Sequence, residues 1–484
     1  MPATSSHRLR ALIVAAAFST GFVTSATAIE LPAEFRDAIE QGIANARYRS
    51  VAIALLDREE RSEWTFGEVE QGGAKPTSSD AYELGSTTRT FTGLLLAQAL
   101  VAGKVRIDDT LGKFFPEVHF ADPRLKAATL DQLATHRAGL PAVPSNLFPR
   151  DVDDPYVGYD IAAMQTYLAH AQLGKDISSY HYSGFGVALL GEAIARAYHT
   201  DFRTLLASEI LAPLAMNGTG FGSVPRLVDG ERDGKPAPHW QLQALAPAVG
   251  LRSTLSDLAT FAAVQLRPDA HRLRAAILLA RQPRASAGGG ETSLAWQIIP
   301  VASDGQNWPL LWQSGTTGGF ASFVGIRTDR QRAVVVLGNS SDDPSALGLN
   351  LLADRRAPAA PPKRLPMIAP AALAYEGLYR FDTGGNLVVR DGTDGLTAQL
   401  GGQLPLPMYA YDEDAFEFGD ESAQITFVLE QAKVVGAVLH RGGTNVRAER
   451  LSEGAPAIQR NVVAMGASEL AAYAGDYAFS SAVR

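Results

Sequence analysis

Five prolines fall within the sixteen residues Arg355 to Pro370, RRAPAAPPKRLPMIAP. A proline fixes φ and carries no N–H, so this run can continue neither a helix nor a central strand. It divides the chain into two units, each of which must bury its own core. We read 355–370 as a semi-rigid linker; the alternative is a surface loop of one domain. The unit before it, 29–354, has the length for a large core. The unit after it, 371–455, is small.

The two units differ in pattern. In the first, residues 31–47 carry Phe35, Ile39 and Ile43 at helical spacing. SVAIALLDRE follows as a buried strand rich in β-branched residues. From Ser86, TTRTFTGLLLAQALVAGKV is apolar nearly all round, which predicts a buried helix ending near Gly103. Pro- and Gly-rich loops and short helical patterns fill about 110–290. Strands return in SLAWQIIPV, FASFVGIR and AVVVLGN. The order strand, helices, strands gives an α/β fold, an antiparallel sheet with a helical lobe. The second unit has short strand-like runs such as LVVR, LTAQL, ITFVLE and VVGAVLH. Turn pairs such as Asp391-Gly392 and Gly442-Gly443 separate them, the pattern of a small antiparallel barrel or sandwich. Leu373–Tyr379 is echoed at Leu470–Tyr477, so 456–484 reads either as a truncated repeat or as a tail that brings a last strand.

At the N-terminus, His7, Arg8 and Arg10 precede ALIVAAAFSTGFV and then Ala26-Thr27-Ala28. A basic start, a short apolar run and an A-x-A site make 1–28 a secretory signal peptide, the alternative being an uncut anchor. The chain is expected to be periplasmic or secreted, with no membrane span after cleavage. A net charge of −8 argues against nucleic acid as a partner. The sequence has no cysteine, which removes thiol nucleophiles and Cys-ligated metals. No two of the nine histidines have metal-ligand spacing, and no cofactor is expected.

The chemistry starts at YELGSTTRTF, Tyr82 to Phe91. Ser86 opens the buried helix, beside unpaired N–H groups and the positive end of the dipole, where a developing oxyanion is favoured. Arg89 follows three residues on, on the same helix face. The competing reading is a plain N-cap serine, and from this stretch alone it is the commoner case.

The wider sequence resembles the serine β-lactamase and penicillin-recognising DD-peptidase family, in which S-x-x-K opens a buried helix. The stretch from Glu83, ELGSTTRTFTGLLLAQALVAGKV, is similar to the region around its nucleophile. LDQLATHRAGLP (Leu130–Pro141) resembles its L-L-T-H-T-S-G-L-P segment, and YHYSGFGVALLGEAIARA (Tyr180–Ala197) its Y-x-N motif and following helix. Leu245–Leu266 resembles a further segment, and Trp312–Ser340 the K-T-G or H-x-G motif with its edge strand. The matches keep the family's order over nearly all of 31–353. The class C-like carboxypeptidases and esterases look nearest, and the region after the linker resembles a lipocalin-like β-barrel. The resemblance implies a β-lactamase/transpeptidase-like sandwich followed by a small antiparallel barrel. It implies acyl transfer with Ser86 as nucleophile and Tyr182 as proton-transfer partner. The oxyanion would lie between the N–H groups of Ser86 and Thr316, with Gly315 keeping the strand open to substrate.

All three motifs depart from the family. Arg89 stands for lysine, Gly184 for asparagine and Gln313 for lysine or histidine. A guanidinium with a pKa above about 12 keeps its proton, so Arg89 is no general base. It would instead favour a phenolate at Tyr182. Gly184 loses an amide that would hold substrate or base, and Gln313 replaces a cation with a neutral group.

Weaker candidates are His181, a substitute base or an outward-facing histidine, and His136, with a structural role in its T-H-x-x-G-L-P context. Trp296, Trp308 and Trp312 read as core, Gly288-Gly289-Gly290 as a loop, and Asp131 and Asp257 as helix caps. Two functions stand. One is a serine hydrolase of low or altered activity on esters, D-amino-acid peptides of peptidoglycan type or β-lactams. The other is a cleft that binds such a small molecule or peptide without turnover. A third makes the barrel the working part. The oligomeric state is not legible.

Overall fold

The computed structural model describes residues 29–452, apart from 150, 152, 175–178, 270, 288, 304, 366–368, 383, 393–394, 401–405, 419–422 and 442–443. The signal-peptide reading of 1–28 and the tail and echo in 456–484 lie outside the described residues.

The chain opens with α1 (Ala33–Ala44), then the hairpin β1 (Ser50–Asp57) and β2 (Glu60–Gly67). After a long helical excursion it returns as β3 (Ala285–Ala287), β4 (Gly290–Thr292), β5 (Gln297–Ser303), β6 (Gln306–Thr316), β7 (Ala321–Arg327) and β8 (Arg332–Gly338). These form one antiparallel sheet in the order β2-β1-β8-β7-β6-β5-β4-β3. SLAWQIIPV is a strand only from Gln297. Ser293–Trp296 turns first, with Ala295 at φ 66°.

Alternation sorts β1 into two cores. Val51, Ile53 and Leu55 face Phe35 and Ile39 of α1 and Leu347 and Leu351 of the helix Ser345–Leu352. Ala52, Ala54 and Leu56 face the larger core under the helical lobe. A strand covered on both faces needs apolar residues at every position, which is why SVAIALLD has no polar alternation. The helical lobe is built on α2 (Thr88–Val101) and α3 (Gly184–Ala197), while α4 (Leu255–Leu266) packs against β1, β7 and β8 of the sheet. Phe91 of α2 stacks on Phe261 of α4, and Phe261 on the fully buried Trp296. α2 ends as its sequence predicts, with Gly103 at φ 65° donating to the Leu100 carbonyl.

Neither acidic residue read as a cap is one. Thr254 caps α4, accepting from Asp257 N–H, and the Asp257 carboxylate reaches out to Gly218 N–H at 2.8 Å and Thr219 Oγ1 at 2.7 Å. Thr129 forms a capping box with Gln132, while Asp131 pairs with Arg137 and Arg284, each at 2.9 Å. In both helices the threonine occupies the extended residue just outside the first turn, and the aspartate falls inside it.

Beyond the Pro-rich segment 355–370, eight sequential antiparallel strands from β9 (Gly377–Phe381) to β16 (Thr444–Ser452) close into a barrel, with β9 pairing β16. Tyr379, Phe416 and Phe427 lead its separate core. Charges join it to the first unit. Arg47, 5% exposed, pairs with Asp342 at 2.6 Å and with Glu417 of the barrel at 2.7 Å, and donates to the linker carbonyl of Pro362 at 2.8 Å. Arg364 of the linker pairs with Asp233 at 2.6 Å and lies 3.9 Å over the Tyr409 ring. Among the described residues no helix is long and apolar enough to cross a membrane.

Candidate active site

Ser86 is the middle residue of a single 3₁₀ turn, Gly85–Thr87, that leads into α2. The turn is possible because Gly85 adopts φ 50°, in the left-handed region. A side chain on Gly85 would strike Thr316 of β6, its Cβ 2.7 Å from Thr316 N. The reverse also holds. A Cβ on Gly315 would strike Leu84 O and Ser86 N and come within 2.7 Å of Thr87 N. Two glycines thus let the end of β6 and the serine turn interlock through their backbones. This close approach is a role for Gly315 that its position on the strand did not suggest.

The turn is pinned from behind. Ser322 Oγ of β7 donates to Leu84 O at 2.7 Å and meets Thr87 Oγ1 at 2.8 Å. Leu251 N–H donates to Thr88 Oγ1 at 3.1 Å, and Thr92 Oγ1 to Pro247 O at 2.6 Å. Ser322, Thr88 and Thr92 escaped the sequence reading, since buried hydroxyls in apolar runs give no spacing signal. Ser86 itself is half-buried and caps nothing: Thr87 is the residue before α2, and no side chain bonds the helix N-terminus. Among the described residues its hydroxyl makes no hydrogen bond.

Arg89 sits one turn into the interior. It is 4% exposed, and neither Nε nor Nη1 has a hydrogen-bond partner. Its Cζ lies 4.2 Å from the centroid of the Tyr182 ring, so guanidinium and phenol meet face to cation. Burial lowers the Arg89 pKa from its ordinary value, with neighbouring Tyr182, Tyr180 and Tyr156 acting the other way. Gly184, the first residue of α3, stands beside it: a Cβ there would be 3.0 Å from Arg89 Nη2 and 3.2 Å from Ala142 O.

Tyr182 is 37% exposed and accepts a hydrogen bond from Gln313 Nε2 at 3.2 Å. Gln313, buried on β6, also donates to Ser314 O at 3.1 Å. The second and third motifs therefore touch through an amide and a phenol. The Tyr182 ring also lies near His136, ring centroids 4.8 Å apart. His136, at φ 59°, ties down the segment before α3. Its carbonyl accepts from His181 N–H at 2.8 Å, and its Nδ1 lies 3.1 Å from Ser183 O and 3.2 Å from Ser183 N. Ser183 then caps α3, accepting from Gly186 N–H at 2.9 Å. Burial, with the Arg89 charge, holds the His136 pKa down at about 3, so the imidazole is neutral at pH 7. His181 is exposed.

Ser86, Arg89, Tyr182, Gly184, Gln313, Gly315 and Thr316 thus gather where the first turns of α2 and α3 meet the end of β6. Chemically this junction offers an uncommitted hydroxyl, backbone N–H groups beside it, a phenol and one buried cation. Among the described residues no group of three His, Cys, Asp or Glu could hold a metal ion.

The family model described as Beta-lactamase matches residues 35–357. The Beta-lactamase of Escherichia coli K12 is 24% identical over 373 residues, which cover 69% of this chain and 94% of that protein. The D-alanyl-D-alanine-carboxypeptidase/endopeptidase AmpH of the same organism is 28% identical over 216 residues, 43% of this chain and 55% of that one. Beta-lactamase-like protein 2 of Dictyostelium discoideum is 28% identical over 200 residues, and the match spans only 35% of its length. A class C beta lactamase crystal structure from Rhodobacter sphaeroides shares the fold, with a TM-score of 0.57 at 19% identity over 63% of this chain and 94% of that one.

Proposed function

Because the chain belongs to the beta-lactamase family, we propose that it is an exported serine hydrolase that forms an acyl-enzyme at Ser86 and turns over slowly. The observation that carries this reading is the interlock of Gly85 and Gly315, which sets the Ser86 and Thr316 backbones side by side at an uncommitted serine hydroxyl. An ester, a D-amino-acid peptide of cell-wall type or a β-lactam would present its carbonyl there. Ser86 Oγ bonds to the carbonyl carbon, and the N–H groups of Ser86 and Thr316 receive the oxyanion. The Ser86 proton passes to the Tyr182 oxygen as the phenol gives its own hydrogen to the leaving group. Water then reverses the sequence and frees the acid. Arg89 keeps its proton throughout. The absent amine base accounts for slow turnover, since general-base assistance is typically worth about 10² to 10⁴ in rate.

The test is intact-protein mass after incubation with a labelled penicillin and with a fluorophosphonate, alongside Ser86→Ala. An adduct on the wild type that the variant lacks supports the reading. A folded protein that takes up neither reagent overturns it. A second reading, recognition without turnover, would then stand. It is favoured by the guanidinium of Arg89 at the position where the family resemblance expects a base.

A further inference from the structure

We infer that the barrel helps to position the reactive end of β6: Tyr409 and Arg364 grip Asp233 at the tip of a hairpin, and the hairpin holds the turn that follows Thr316. The inference rests on the reading above for the reaction it tunes. The grip itself does not require that Ser86 react.

The hairpin pairs Gly230–Arg232 with Lys235–Ala237. Asp233 at φ 52° and Gly234 at φ 75° make its two-residue tip, where Asp-Gly suits a left-handed backbone. A lone pair of short strands is marginal by itself, so contacts outside the hairpin set its place. At its base Glu231 N–H donates to Asn339 O at 3.0 Å, and Arg49 Nε donates to the Glu231 carboxylate at 2.7 Å. At its tip the Asp233 carboxylate accepts from Tyr409 Oη, on the barrel strand Leu406–Asp412, and from Arg364 Nη1, each at 2.6 Å. Both bonds go to a charged group and are of the stronger kind. Arg364 lies over the Tyr409 ring, which fixes one donor against the other.

The hairpin also contacts the turn Thr317–Phe320 between β6 and β7, which Thr317 N–H closes by donating to Phe320 O at 2.9 Å. Arg232 Nε donates to Gly318 O at 2.9 Å. A Cβ on Gly318 would lie 2.8 Å from Arg232 Nη2, and one on Gly319 2.7 Å from Ala237 Cβ, so two adjacent glycines let the hairpin rest directly on the turn. Gly318 is two residues beyond Thr316, whose N–H the proposed reaction uses. A site group works only when held within about 0.5 Å of its productive place. Tyr409, Asp233, Arg232 and Gly318 form an unbroken series of hydrogen bonds and covalent neighbours from the barrel to that N–H. A tip released by the barrel therefore lets the end of β6 relax.

The experiment uses the full chain. Tyr409→Phe deletes the hydroxyl and keeps the ring that Arg364 covers. Arg232→Met cuts the bond to Gly318. Leu439→Ala, in the barrel core, is the control for barrel stability alone. Two readouts are taken: amide hydrogen exchange at Thr317 and Glu231, and phosphonylation of Ser86 by a fluorophosphonate, with the saturating rate constant and the half-saturating concentration measured separately. Tyr409→Phe and Arg232→Met are each expected to speed exchange and to slow the saturating rate about threefold or more, with half-saturation unchanged. In the Arg232→Met background Tyr409→Phe is expected to add nothing, because the route is already cut. Leu439→Ala is expected to lower Tm and leave both readouts at wild-type values. Wild-type exchange and rate in Tyr409→Phe overturn the inference, as does a full further effect of Tyr409→Phe on Arg232→Met. An equal change in Leu439→Ala overturns it too, since barrel stability would then account for the data. A wild type that takes up no reagent but shows the exchange pattern removes the hydrolase reading alone; phosphonylation without the exchange pattern removes this inference alone.

Discussion

A Cβ on Gly184 would stand 3.0 Å from Nη2 of Arg89. The two departures that look like separate losses in the sequence are one steric choice. The longer, planar guanidinium reaches the first turn of α3 and occupies the space of the missing side chain.

The pair should therefore be non-additive. Gly184→Asn alone is expected to destabilise by about 1 to 3 kcal/mol through overpacking. Arg89→Lys alone leaves a gap beside Gly184. The double variant should recover at least about 1 kcal/mol relative to the sum, which urea denaturation of all four proteins would measure. Simple additivity would show that the two positions do not share space.

His136 should make the fold acid-sensitive above the range of ordinary carboxylates. Its pKa is about 3 when folded, against about 6.5 in an unfolded chain. Between those values the unfolded state binds one proton more, so stability rises with pH there. The slope from this group approaches about 1.4 kcal/mol per pH unit. Its full contribution is present above about pH 6.5 and is lost as pH falls toward 3. His136→Asn should flatten the stability profile between pH 4 and 6.5 by about one proton. An unchanged slope would place the titration elsewhere.

Gly315→Ala should separate folding from chemistry. Its methyl group must push β6 away from Leu84 O and Ser86 N. We expect a loss of about 2 to 4 kcal/mol and, in the protein that remains folded, loss of any acylation at Ser86. The readouts are urea unfolding and adduct mass. Wild-type acylation in this variant would show that the close approach is dispensable.

The barrel should loosen when Arg47 is neutralised. Arg47→Met removes the cation that bridges Asp342 and Glu417 at 2.6 and 2.7 Å and leaves them only Arg364, at 3.2 and 3.7 Å. Removing one partner of a buried ion network costs about 3 kcal/mol. Limited proteolysis should then cut the 355–370 linker faster than in wild type. Equal cleavage rates would mean that Arg364 and the linker backbone suffice to hold the barrel.

The uninterrupted apolar run of β1 and the all-round apolar α2 determined a buried strand and a buried helix. They could, because hydrophobic period is a local property. The motifs named Ser86, Tyr182 and Gly315 by their letters, and the fold then brings Gly315 against Ser86 and Tyr182 against Gln313 of the same strand. The caps were misread at Asp131 and Asp257 because a carboxylate and a neighbouring threonine compete for the same N–H groups, and only backbone dihedrals decide between them. Ser322, which holds the serine turn, and His136, which anchors the loop of Tyr182, act through contacts between segments far apart in the chain. The same is true of Arg89. Its charge could be read from one letter, but its contact with Tyr182 and its fit against Gly184 depend on which distant groups the fold brings near. Packing and desolvation are set by neighbours in space, and those neighbours exist only once the chain has folded.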